Sequence, residues 1–99
     1  MRINQKQHDD IKKIVSQLAG SEAIVTLFGS RVDDAKKGGD VDLLVELSNP
    51  VDNPALLSAQ LSVKISNIMF GRKVDVLLSA PNLDYLPIHK FARLNGIML

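Results

Sequence analysis

Ninety-nine residues suffice for one hydrophobic core and not for two, so a single domain spanning residues 1–99 is expected. An apolar share of 45% excludes a disordered chain, and the balance of 12 basic against 11 acidic residues supplies no field for a polyanion, so nucleic-acid binding is not indicated. The absence of cysteine excludes disulfides and thiolate metal sites.

The polar start, MRINQKQHDD, lacks the apolar stretch of a signal peptide, and no run approaches a membrane span. A soluble cytoplasmic protein is therefore expected. Ile11, Ile14, Val15 and Leu18 form an i, i+3, i+4, i+7 stripe, which predicts an amphipathic helix over 5–19 ending near Gly20. AIVTLFG (23–29) is β-branched and apolar, a buried strand, and 30–39 is a polar loop ending in Gly38-Gly39. VDLLVEL (41–47) is the second strand, and Asn49, Pro50, Asn53 and Pro54 mark a turn.

Pro54 suits the first position of a helix that runs to Phe70 on Leu57, Leu61, Ile65, Ile68 and Met69, with Gly71 closing it. KVDVLLS (73–79) is the third strand. A last helix is predicted over 83–95 with Leu86, Phe91 and Leu94 as anchors, followed by an apolar tail, Ile97-Met98-Leu99, that suits a partner surface, an edge strand or a core plug equally. Counting a turn of helix that opens the 30–39 loop at Ser30, the order is αβαβαβα, with no internal repeat or linker.

Three aspartates stand out. Asp40 and Asp42, two apart on a strand, point the same way with Cα atoms roughly 6–7 Å apart. Asp75 interrupts the third strand in the same manner. For Gly29-Ser30, at the end of strand one, to meet Asp40 and Asp42 at the start of strand two, these strands must be antiparallel. Asp75 lies early in its strand, so strand three must run parallel to strand two through a right-handed crossover. The expected fold class is α/β with α+β character: a small mixed sheet in the order 1-2-3 with helices packed on one face. Val41, Leu43, Val45, Val74, Val76 and Leu78 would face the helices, and the aspartates the opposite side.

Carboxylates gathered on a sheet repel one another, and a divalent cation offsets that cost. A D-x-D pair supplies two ligands of common direction for phosphoryl transfer, and a neighbouring carboxylate can also accept a proton from an incoming hydroxyl. Oxygen-only donors favour Mg²⁺ or Mn²⁺ over Zn²⁺. Gly29 lets a triphosphate approach the backbone; Ser30, if it opens a helical turn, presents N–H groups to it, and Arg31 could add a charged donor.

The pattern G-S, nine residues, D-V-D and a later strand aspartate resembles the DNA polymerase β-like nucleotidyltransferase superfamily, and the stretch GSRVDDAKKGGDVDLLV resembles its minimal nucleotidyltransferases. The resemblance covers nearly the whole chain. It implies that Gly29 and Ser30 form the nucleotide-phosphate turn, that Asp40 and Asp42 are paired metal ligands, and that Asp75 is the third carboxylate, a ligand that assists deprotonation of the nucleophile. It further implies Mg²⁺ or Mn²⁺ as cofactor and ATP or another NTP as substrate. Several minimal members resemble antitoxins encoded beside a helical HEPN-type toxin and attach AMP to that partner, which would make this chain a protein adenylyltransferase.

Each feature has a plainer reading. Asp40 and Asp42 alone suit a solvated strand start, Asp75 an exposed sheet face, and Gly29-Ser30 a tight turn; only their combination is specific. Arg31 suits a surface ion pair as well as a phosphate contact. Asp33, Asp34, Lys36, Lys37, Arg72 and Lys73 read as solvated charge, His8 and His89 carry no assigned role, and Tyr85 reads as packing. The alternative function is a non-catalytic module that neutralises a toxin by occlusion; nucleic-acid polymerisation ranks below both.

Overall fold

The computed structural model describes residues 3–29 and 41–99. Seven elements follow in chain order: α1 (Gln5–Ala19), β1 (Ile24–Phe28), β2 (Val41–Glu46), α2 (Pro54–Ile68), β3 (Val74–Ser79), α3 (Pro87–Asn95) and β4 (Ile97–Met98). Asn4 starts α1 with a reciprocal cap: its Oδ1 accepts from the Gln7 N–H at 2.7 Å, and Gln7 Oε1 accepts from the Asn4 N–H at 3.0 Å. Asn53 caps α2 through the Leu56 N–H at 3.1 Å, with Pro54 in the first turn.

The strands form one mixed sheet in the order β3-β2-β1-β4. β1 is antiparallel to β2, and β2 is parallel to β3, as the aspartate argument requires. The apolar tail resolves as an edge strand: β4 pairs antiparallel with β1, Thr26 opposite Met98 and Leu27 opposite Ile97. The β2-α2-β3 crossover and the mixed sheet make this a small α/β fold with α+β character. Val41, Leu43, Val45, Val74 and Leu78 project to one face, where Ile11 and Val15 of α1 and Leu61, Ile65 and Met69 of α2 complete the main core, with Val76 at its margin.

The last helix departs from the expected arrangement. α3 does not join α1 and α2 but lies across the opposite face, where buried Ala92 packs against Phe28 and Leu44 with Leu77 beside them. Leu44 alternates with Asp42 and Glu46 on that face, so a face that carries acids at its ends has an apolar centre that needs cover. The continuous apolar run in β2 is the sequence signature of burial on both sides. The helix also starts at Pro87 rather than 83: Leu86, preceding proline, is held extended at φ −98°, ψ 164°. The predicted anchors Leu86, Phe91 and Leu94 stay half-exposed or more, and the buried residues are His89 and Ala92. A small side chain at 92 lets the helix approach the sheet closely.

α2 ends two residues before Phe70. Phe70 adopts the left-handed conformation at φ 58°, a position usually given to glycine, and the Gly71 N–H closes the end onto the Ser66 carbonyl at 3.0 Å.

The outer edge of β3 is sealed by side chains. Its odd-numbered residues face β2, with Val41 N–H donating to the Lys73 carbonyl and Leu47 N–H to the Ser79 carbonyl, so its even-numbered carbonyls point outward. Ser66 Oγ donates to the Arg72 carbonyl at 2.6 Å, Ser62 Oγ to that of Val74, and Ser58 Oγ to that of Val76 at 3.1 Å. His89 Nε2 takes the fourth, Leu78, at 2.8 Å. Three serines spaced four apart on α2 and one histidine on α3 thus blunt an edge that would otherwise invite strand addition.

Candidate functional site

β2 and β3 bring two of the predicted acids together. Asp42 and Asp75 are register partners in the parallel pair, on adjacent strands and on the face opposite the main core. Neighbouring strands lie about 4.8 Å apart, so their Cβ atoms start as lateral neighbours. Asp42 is partly buried; the Asp75 side chain is about half-exposed, with Lys73 Nζ 3.9 Å from its Oδ1. An exposed pair at that distance contributes little to stability.

Gly29 completes the corner. Asp42 is also opposite Phe28 across the antiparallel β1–β2 pair, so the residue after Phe28 passes beside the Asp42 side chain. Gly29 has φ 72°, and an added Cβ would stand 2.5 Å from Asp42 Oδ2. The backbone angle therefore favours glycine, and any Cβ there would also displace the Asp42 carboxylate. Gly29, Asp42 and Asp75 converge; Ser30, Arg31 and Asp40, with Asp33, Asp34, Lys36 and Lys37, lie outside the described residues.

These three residues line one end of a cleft of about 450 Å³. Its remaining wall is apolar: Phe28, Val76 and Leu77 from the sheet, Ile88 and Phe91 from α3. Size and lining suit a small-molecule site with a few placed polar groups. A larger hollow of about 560 Å³ lies at the far end of the sheet, beside Gly20, Glu22, Ser48 and Pro50. There the Glu22 carboxylate accepts from Ser48 Oγ at 3.0 Å, and neither aspartate reaches it.

α3 is held over the cleft by contacts in which Tyr85 packs as expected, while His89 and Arg93 take roles that the sequence reading did not assign. The Leu86 N–H donates to His89 Nδ1 at 2.9 Å, which leaves Nε2 carrying the proton that goes to Leu78. Tyr85 stacks on the His89 ring with centroids 5.4 Å apart, and the Arg93 guanidinium lies 5.2 Å from the Tyr85 centroid. Arg93 also pairs with Glu46 at the end of β2, and that hydrogen bond, with the Glu46 charge behind it, holds the guanidinium above its ordinary range. A histidine two residues after a helix-opening proline was the available signal for this clamp.

Residues 8–95 match the family model described as nucleotidyltransferase domain. The chain belongs to this family. No curated protein gave a significant match. A nucleotidyltransferase moves a nucleotidyl group from a nucleoside triphosphate to an acceptor, and the mixed sheet with its helices is consistent with that fold. Members of the family generally use divalent metals. Among the described residues no three His, Cys, Asp or Glu side chains gather as a metal cluster; Asp42 and Asp75 make two, and Asp40 is not among the residues described. Two neighbouring carboxylates with oxygen-only donors fit a hard cation such as Mg²⁺. No helix among the described residues is long and apolar enough to cross a membrane.

Proposed function

We propose that this nucleotidyltransferase transfers a nucleoside monophosphate, AMP from ATP, to a protein partner, and that the partner is a HEPN-type toxin for which this chain is the antitoxin. The observation that carries the catalytic part is the register pairing of Asp42 with Asp75 beside the Gly29 corner. The acceptor and antitoxin parts rest on the likeness of residues 29–45 to minimal nucleotidyltransferases.

Asp40, Asp42 and Asp75 would hold Mg²⁺ or Mn²⁺. Bound there, the cation neutralises charge on the triphosphate and on the departing pyrophosphate. Gly29 and Ser30 cradle the phosphates, and Arg31 supplies a charged donor beside them. Asp75, the more open carboxylate, accepts the proton of the acceptor hydroxyl. That oxygen bonds to the α-phosphorus as the bond from phosphorus to the bridging oxygen breaks, and pyrophosphate leaves with the electron pair. The one domain of 1–99 acts in the cytoplasm in this reading.

The test is labelling of the co-encoded HEPN-type partner from α-labelled ATP with Mg²⁺. Label on the partner, lost with Asp42→Asn plus Asp75→Asn, is expected; label that survives both substitutions overturns the assignment. A second reading, neutralisation by occlusion, is favoured by exposed Leu94, Ile97 and Met98 on α3 and β4. It expects the aspartate variants to bind and neutralise the toxin undiminished.

A further inference from the structure

We propose that Ile88 and Phe91 form the platform on which the nucleobase rests, so that the site holds its nucleotide by stacking and selects weakly among bases. This inference rests on the nucleotidyl-transfer reading and concerns the part of the cleft that the carboxylates leave unassigned. Ile88 and Phe91 are three apart on α3, hence on one helix face, and both line the cleft that contains Asp42 and Asp75. They remain 44% and 50% exposed although the same helix buries His89 and Ala92.

The helix cannot turn to bury them. His89 Nε2 is bonded to the Leu78 carbonyl, and Ala92 is seated against Phe28 and Leu44. Rotation by one residue would break that bond and drive a larger side chain into the Ala92 seat. Two large apolar side chains are therefore fixed at the cleft wall, within one cavity of the acids that would engage the phosphates and cation. A nucleotide has the matching polarity: an anionic end for the acidic, cation-holding corner and a flat base for the apolar wall.

Base selectivity follows from the lining. Among the described residues of the cleft, only Asp42 and Asp75 carry polar side-chain atoms, and both are committed to the phosphate end. An aromatic face accepts any base, because every base offers a π surface.

Calorimetry with Mg²⁺ and non-hydrolysable analogues of ATP and GTP, and with ribose 5-triphosphate lacking a base, tests this. Phe91→Ala is expected to weaken the ATP analogue by about tenfold, Phe91→Tyr to retain it, and Phe91→Ala to leave the base-free triphosphate unchanged. ATP and GTP analogues should bind within about fivefold of each other, since stacking discriminates poorly. Ile88→Ser is the second variant, expected to act in the same direction, with unchanged melting temperatures showing that both fold. Nucleotide binding that ignores Phe91 and Ile88, or a loss shared by the base-free triphosphate, overturns this inference alone. No binding of any triphosphate by the unaltered protein overturns it together with the reading beneath it.

Discussion

Asp42 and Asp75 are register partners across the parallel β2–β3 pair, two carboxylates side by side on the sheet face that α3 only partly covers. Placing like charges on adjacent strands disfavours the fold, which is reason to look for a bound cation at that corner.

Replacing both carboxylates should separate chemistry from folding. Asp42→Asn with Asp75→Asn is expected to lower nucleotidyl transfer by at least about 100-fold, in line with the loss of fixed charge at a phosphoryl site. The melting temperature without metal should hold or rise, because repulsion is relieved. Added Mg²⁺ should raise the melting temperature of the unaltered protein and not of the variant. Equal metal response in both would place the cation elsewhere.

Gly29→Ala tests the corner itself. The new Cβ meets Asp42 Oδ2 at 2.5 Å while the backbone stays at φ 72°. A cost of about 1–2 kcal/mol from the left-handed angle is expected, with a further loss of transfer as the carboxylate is pushed aside. Activity equal to the unaltered protein would show that Asp42 need not hold its observed position.

Ser58, Ser62 and Ser66 replaced together by alanine should open the β3 edge. Each lost hydrogen bond is worth about 1 kcal/mol, so the triple variant is expected to melt earlier and, more tellingly, to self-associate. Light scattering during storage checks the second part. A triple variant that melts earlier yet stays monodisperse would mean that α2 covers the edge without the hydroxyls.

Phe70→Gly should stabilise the chain. Phe70 is 89% exposed and left-handed, so glycine gives up little packing and relieves an unfavourable angle. After allowance for glycine's greater freedom when unfolded, a gain of up to about 1 kcal/mol is expected. Denaturant unfolding measures it; a lower midpoint would show that the ring packs more than its exposure suggests.

Much of this molecule is legible in local pattern. The 3.6-residue stripe of Ile11, Val15 and Leu18 fixes α1, the capping residues Asn53 and Pro54 fix the start of α2, and two-residue alternation places Asp42 opposite the core-facing Val41 and Leu43. The strand directions follow once Gly29 and the aspartates are required to meet, since only one arrangement allows it. The positions of Ser30, Arg31 and Asp40 stay with the sequence reading, because they fall outside the described residues. What the tertiary structure decided was where α3 goes. Phe91 and Leu94 look like its anchors because apolar side chains usually face a core, but the seat on the sheet is shallow and takes Ala92. The carbonyls at the β3 edge, invisible in any side-chain pattern, recruit His89 and three serines from other elements. Periodicity reports which face of an element is apolar; which surface that face meets depends on contacts between residues far apart in the chain.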